Sequence, residues 1–136
     1  MPVVRGLAEV VLWVHDLPAA LAFYRDLLGL PVISPPERAN PIFLQAGPGT
    51  AGIPAMVVLV QLPPDAPPFS LPRPLHHLAL EVAAADFDAL RERLAAAGHA
   101  IRTGQHPIIP SRTMYVDDPD GNEVEFICPA ERRTES

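Results

Sequence analysis

A chain of 136 residues, 49% hydrophobic and 19% charged with a net charge of −6, has the size of one globular domain and should bury roughly two-thirds of its unfolded surface without disulfides or a structural metal. Its ten basic residues are all arginine and form no cluster, which excludes nucleic acid as an expected partner, because phosphate-backbone binding needs concentrated Lys and Arg. The single cysteine, Cys128, excludes an internal disulfide framework, no apolar run reaches a membrane span, and Met-Pro-Val-Val-Arg-Gly at the start lacks the apolar core of a signal peptide. The expectation is a soluble, cytoplasmic protein with no membrane partner.

In chain order, the first predicted element is a strand, Glu9-Val-Val-Leu-Trp-Val14, with Val10, Leu12 and Val14 on one face and Glu9, Val11 and Trp13 on the other. Leu17, Leu21, Tyr24 and Leu28 then recur at helical spacing, with Asp16 placed to cap the helix and Gly29 to stop it. Strand-like patterns follow near Val32 and Ile33, over residues 42–46 and over residues 55–62. Residues 63–74 hold six prolines and read as a semi-rigid connector.

The second half echoes the first. His77-Leu-Ala-Leu-Glu-Val82 is a strand, Asp86 a cap, Phe87, Leu90, Leu94 and Ala97 a helical stripe, and Gly98 a stop. Strands are expected over residues 100–103, 112–117 and 123–128, so each half reads β-α-β-β-β. Glu9 and His77 hold matching positions. The preceding residue, His76, should by alternation point to the opposite face. Asp118-Pro-Asp-Gly-Asn-Glu-Val-Glu125 reads as a tight turn with Gly121 at positive φ, leading into the last strand, where Glu123, Glu125 and Ile127 share a face. A carboxylate between Val124 and Phe126 is costly to bury unless paired or coordinated. Counting outward from the turn sets Tyr115 opposite Glu125, with Thr113 on the same face and Arg112 before the strand. Residues 131–136 are polar and expected to fray.

The two modules, the run Ala22-Phe23-Tyr24-Arg25-Asp26-Leu27-Leu28-Gly29 and the Asp118-Pro-Asp-Gly-Asn-Glu-Val-Glu125 ending closely resemble the vicinal oxygen chelate superfamily, which includes glyoxalase I, extradiol ring-cleaving dioxygenases, fosfomycin-resistance thiol transferases and bleomycin-binding proteins. The resemblance implies an α+β fold: two βαβββ modules whose cupped mixed sheets surround a cavity. One domain over residues 1–136 would comprise a first module at about 7–62, the connector at 63–74, a second module at about 75–128 and a polar tail at 129–136.

Family metal ligands come from the first and last strands of the modules, which carries over to Glu9, His77 and Glu125. The fourth position falls within residues 56–60, where no ligand-type side chain stands. Three ligands with open positions suit a catalytic divalent ion. The set is most similar to the His, His, Glu triad of ring-cleaving dioxygenases and fosfomycin-resistance enzymes, with Glu9 where both have a histidine. Two carboxylates favour Fe2+ or Mn2+ over Zn2+ or Ni2+, and no organic cofactor is expected. Tyr115 is the candidate acid or hydrogen-bond donor, while Val11, Trp13, Arg112 and Thr113 are candidates to line the ligand site. The leading expectation is a metal-dependent enzyme acting on a small organic molecule that chelates through vicinal oxygens. The alternative is a metal-free drug-binding protein like the bleomycin-resistance members. Glyoxalase I chemistry ranks lower because the missing fourth ligand is the carboxylate that family uses for proton transfer. A fosfomycin-type transferase also ranks lower, since Val11 stands where a hydroxyl residue is expected. His106 is the loop histidine placed to fold over the site, and a homodimer is the expected assembly.

Overall fold

The computed structural model describes residues 3–130, so the polar tail beyond Ala130 lies outside the described residues. The chain divides into two compact units, Met1–Phe69 and Ser70–Ser136. Both are α+β, each a mixed sheet with helical segments.

In the first unit, β1 (Glu9–Val14) shows the expected alternation: Leu12 and Val14 are buried, while Glu9, Val11 and Trp13 are exposed. Asp16 caps α1 (Leu17–Leu21) by accepting a 3.1 Å hydrogen bond from the Ala19 amide. The helix then widens into a π-helical segment over Ala22–Leu27, which buries Phe23 and Tyr24. It closes at Gly29, where φ is +80°. The strands β2 (Ile42–Gly47) and β3 (Ala55–Gln61) complete a sheet of order β1-β3-β2, with β1 and β3 parallel. The strand expected near Val32 and Ile33 is reduced to a single bridge between Val32 and Leu44. Prolines 31, 35 and 36 surround it, and each removes a donor that a longer ladder needs.

The second unit runs β4 (Leu78–Glu81), a 3-10 turn over Ala84–Asp86, α2 (Phe87–Ala96), β5 (Arg102–Gly104), β6 (Ser111–Asp117) and β7 (Glu123–Pro129). Its sheet order is β4-β7-β6-β5, with β4 and β7 parallel and the other pairs antiparallel. Asp86 makes no side-chain cap bond, contrary to expectation, because the 3-10 turn has already brought its backbone to φ −102°, ψ −7°. α2 ends in a two-bond cap, His99 N to Leu94 O at 3.1 Å and Gly98 N to Ala95 O at 3.0 Å, with Gly98 at φ +92°. One sheet face carries the buried Met114, Val116, Val124, Phe126 and Cys128. That face is turned toward α2, since Arg112 of β6 lies 4.4 Å over the Phe87 ring and bonds Asp88.

Among the described residues no helix is long and apolar enough to cross a membrane.

Candidate functional site

The opposite face of the second sheet carries the titratable groups. β7 pairs with β6 so that Tyr115 stands against Glu125, Thr113 against Ile127 and Asp117 against Glu123. β4 pairs with β7 so that Ala79 stands against Glu125. His77 is the residue before β4.

Glu125 is only 3% exposed. Its Oε1 lies 3.1 Å from His77 Nε2, while the His77 side chain is 35% exposed. The carboxylate therefore meets an imidazole at hydrogen-bond distance while water reaches that imidazole from outside. This satisfies the requirement that a buried carboxylate be paired. The His77 and Tyr115 rings stand 6.2 Å apart at 71°. Burial raises the Tyr115 phenol above its ordinary value of 10.0, the Thr113 hydroxyl lowers it, and the Glu125 carboxylate raises it again. The phenol is thus held as a protonated donor beside Glu125.

The neighbours of Tyr115 are shaped for it. Thr113 is buried and donates a 2.6 Å hydrogen bond to Gly104 O. A Cβ on Gly104 would sit 3.1 Å from the Tyr115 ring, so a side chain there would crowd the ring. This role for Gly104 is not visible as a sequence pattern, because it depends on the β5–β6 register that places Gly104 against Thr113.

His76 departs from the expected alternation. Its Nδ1 lies 2.7 Å from Nδ1 of His77, and the two rings stand 5.0 Å apart. The period-two rule holds within a strand, and β4 begins only at Leu78. Arg112 lies on the helix-covered face, away from Glu125: it bonds Asp88 at 2.7 Å and holds the Asp88 carboxyl below its ordinary value. His106 braces its own loop, where its Nδ1 accepts from the Ile108 and Ile109 amides at 3.1 and 3.0 Å.

In the first unit, Glu9, Val11 and Trp13 share the exposed face of β1, with Val11 at 52% and Trp13 at 56% exposure. The register opposes Glu9 to Met56 and Val11 to Val58. Residues 56–60 of β3 offer no ligand-type side chain, as the sequence indicated.

The donor set of the second unit suits a divalent ion as two ligands. The 3.1 Å between His77 Nε2 and Glu125 Oε1 is on the order of the ~3 Å that separates adjacent ligand atoms around an octahedral ion with bonds near 2.1 Å. Among the described residues no three His, Cys, Asp or Glu side chains are gathered to hold an ion. A complete site therefore needs a further ligand beyond this pair.

The chain is similar to a glyoxalase/dioxygenase from Nostoc punctiforme, at 22% identity and a TM-score of 0.71, covering 93% of this chain and 92% of that one. It is similar to TnmS3, an antibiotic binding protein from Streptomyces sp. CB03234, at 24% identity and a TM-score of 0.62, covering 96% and 100%. It is also similar to a lactoylglutathione lyase from Agrobacterium tumefaciens, at 25% identity and a TM-score of 0.62, covering 90% and 92%. No curated protein matches the sequence. Residues 6–126 match the model of the Glyoxalase/Bleomycin resistance protein/Dioxygenase superfamily, and the chain belongs to that superfamily.

Proposed function

We propose that the protein is a divalent-metal-dependent enzyme acting on a small organic substrate that chelates through vicinal oxygens, in the manner of the ring-cleaving dioxygenases. The observation that carries this reading is Glu125: a carboxylate 3% exposed, 3.1 Å from His77 Nε2, with Tyr115 against it in the β6–β7 register. An ionised carboxylate in an otherwise apolar strand is costly unless charge or hydrogen bonding compensates it; His77 supplies the hydrogen bond, and a bound divalent ion would add the charge.

His77 and Glu125 are two ligands in this proposal and Glu9 is the third. The exposure of Glu9 on β1 leaves its carboxylate available. Two carboxylates and a neutral imidazole balance a divalent charge and favour Fe2+ or Mn2+, with Zn2+ and Ni2+ as alternatives. When bound, the ion supplies Lewis-acid polarisation of substrate oxygens. Tyr115, protonated through neutral pH, donates a hydrogen bond or proton to the substrate. Thr113 fixes the β5 edge beneath it. Val11 and Trp13 offer apolar surface to the substrate. Arg112 is left outside the group by its bond to Asp88. One domain over residues 1–136, a homodimer and a cytoplasmic location belong to the same proposal.

Elemental analysis of untagged protein prepared without chelator tests it. About one equivalent of metal per chain, lost in His77→Ala and reduced in Glu9→Gln, is expected, and catechol-type and dicarbonyl substrates are then screened. A second reading, a metal-free protein that sequesters a small molecule, is favoured by the pair's being closed on itself with no third ligand gathered among the described residues. Protein that stays metal-free after incubation with each ion selects that reading.

A further inference from the structure

We infer that Arg73 is a positioning residue for the His77–Glu125 pair, tying the chain that leads into β4 to the turn that leads into β7. The two strands run parallel, so both begin at the same end of the sheet. His77 immediately precedes β4, and Glu125 lies just inside β7. Whatever fixes one strand start against the other therefore fixes the separation of these two side chains.

Arg73 makes that connection. Its Nη2 donates to Asp120 O at 2.6 Å and its Nη1 to Asn122 Oδ1 at 3.2 Å. The turn it grips is internally braced: Asp118 Oδ1 accepts from the Asp120 and Asn122 amides at 2.9 and 2.8 Å, and Asn122 Nδ2 donates to Asp118 Oδ2 at 3.0 Å. Asp118 and Asn122 are both buried. Gly121 adopts φ +80°, which favours glycine, and a Cβ there would stand 2.8 Å from Arg73 Nη2, so the guanidinium would have to shift to admit it. The guanidinium thus lies against a bare stretch of turn backbone, at the end of a proline-rich connector that otherwise has no regular structure. A slip of about an ångström between the strand starts would break the His77–Glu125 contact, since hydrogen bonds weaken steeply beyond about 3.2 Å.

The purpose of the tie rests on the metal reading above, but the tie itself is tested in metal-free protein. The readout is the His77 imidazole nitrogen resonance, assigned by its loss in His77→Ala, with Glu125→Val marking its position when the carboxylate is gone. Arg73→Ala is expected to move it at least halfway to the Glu125→Val position. Arg73→Lys, which keeps a donor for Asp120 O, should move it back toward wild type. Asp16→Ala, which weakens a helix cap in the other unit, should leave it unmoved. An Arg73→Ala resonance coincident with wild type overturns the inference. If that variant fails to fold, Arg73→Gln is judged by the same criterion.

Mn2+ titration then separates the two ideas. Binding about tenfold weaker in Arg73→Ala than in wild type supports both, and equal binding in the two overturns the positioning role. A wild-type protein that binds none of Mn2+, Fe2+, Zn2+ and Ni2+, with the resonance moving as expected, leaves the tie standing and removes the metal reading.

Discussion

In the first unit the residue of β3 that faces Val11 is Val58, and Phe43 of β2 stands against it; at the same register positions of the second unit stand Glu125, facing Ala79, and Tyr115. Val58 is 2% exposed and Glu125 3%, so the two positions are equally cut off from water. What differs is the partner. The residue two before Val11 is Glu9, another carboxylate, whereas the residue two before Ala79 is His77, whose Nε2 meets Glu125 at 3.1 Å. One plan has thus been filled once as a packing position and once as a polar pair. Burial alone therefore does not distinguish Glu125 from Val58, and burial together with a matched donor does.

The largest effect should come from forcing the second unit's chemistry onto the first. Val58→Glu buries a carboxylate with no donor matched to it and should lower stability by roughly 3–5 kcal/mol in urea unfolding. A loss under about 1 kcal/mol would show that the two positions are not equivalent environments. Removing the donor instead, by His77→Ala, should cost about 1–3 kcal/mol, toward the lower end because water can enter where the 35%-exposed imidazole stood, and should abolish metal retention. Retained metal with unchanged stability would leave Glu125 without the role given to it here.

The helix starts provide a smaller contrast. Asp16→Ala removes a real cap bond and should cost about 1 kcal/mol. Asp86→Ala removes none and should stay within about 0.5 kcal/mol. Equal losses would erase the distinction between the capped start and the uncapped one. The smallest effect lies at alkaline pH. The folded state holds the Tyr115 proton more tightly than the unfolded chain does, so its contribution to stability is present below the ordinary value of 10.0 and is lost as pH rises through the raised one. Tyr115→Phe should flatten that decline, and an unaltered pH profile of unfolding would contradict the environment described for the phenol.

Most of the secondary structure was legible because period-two and helical stripes report which face is buried, as Leu12 and Val14 of β1 and Phe87 and Leu94 of α2 show. The echo between halves also placed Glu9 and His77 at comparable strand starts. What was not legible depends on geometry that no local pattern encodes. Asp86 looks like Asp16 in sequence, but the backbone has already turned helical before it. The widening of the first helix over Ala22–Leu27 leaves no compositional mark. His76 meets His77 because the strand starts one residue later than the pattern implied. Arg112 turned toward α2 by the same alternation that turned Thr113 and Tyr115 the other way. Arg73 was read as part of a spacer, and only the folded turn shows what it grips.

In both units the first strand pairs in parallel with the last, Glu9 against Met56 and Leu78 against Val124. A strand so paired finds its neighbour only after every intervening residue of its unit has been synthesised, and such long-range pairings are slow to form. Among the described residues the three strands of the first sheet all come from the first unit. As the chain leaves the ribosome, β1 must therefore wait for β3, and the bond from Leu62 N to Val14 O closes its ladder only after the whole of β3 has emerged.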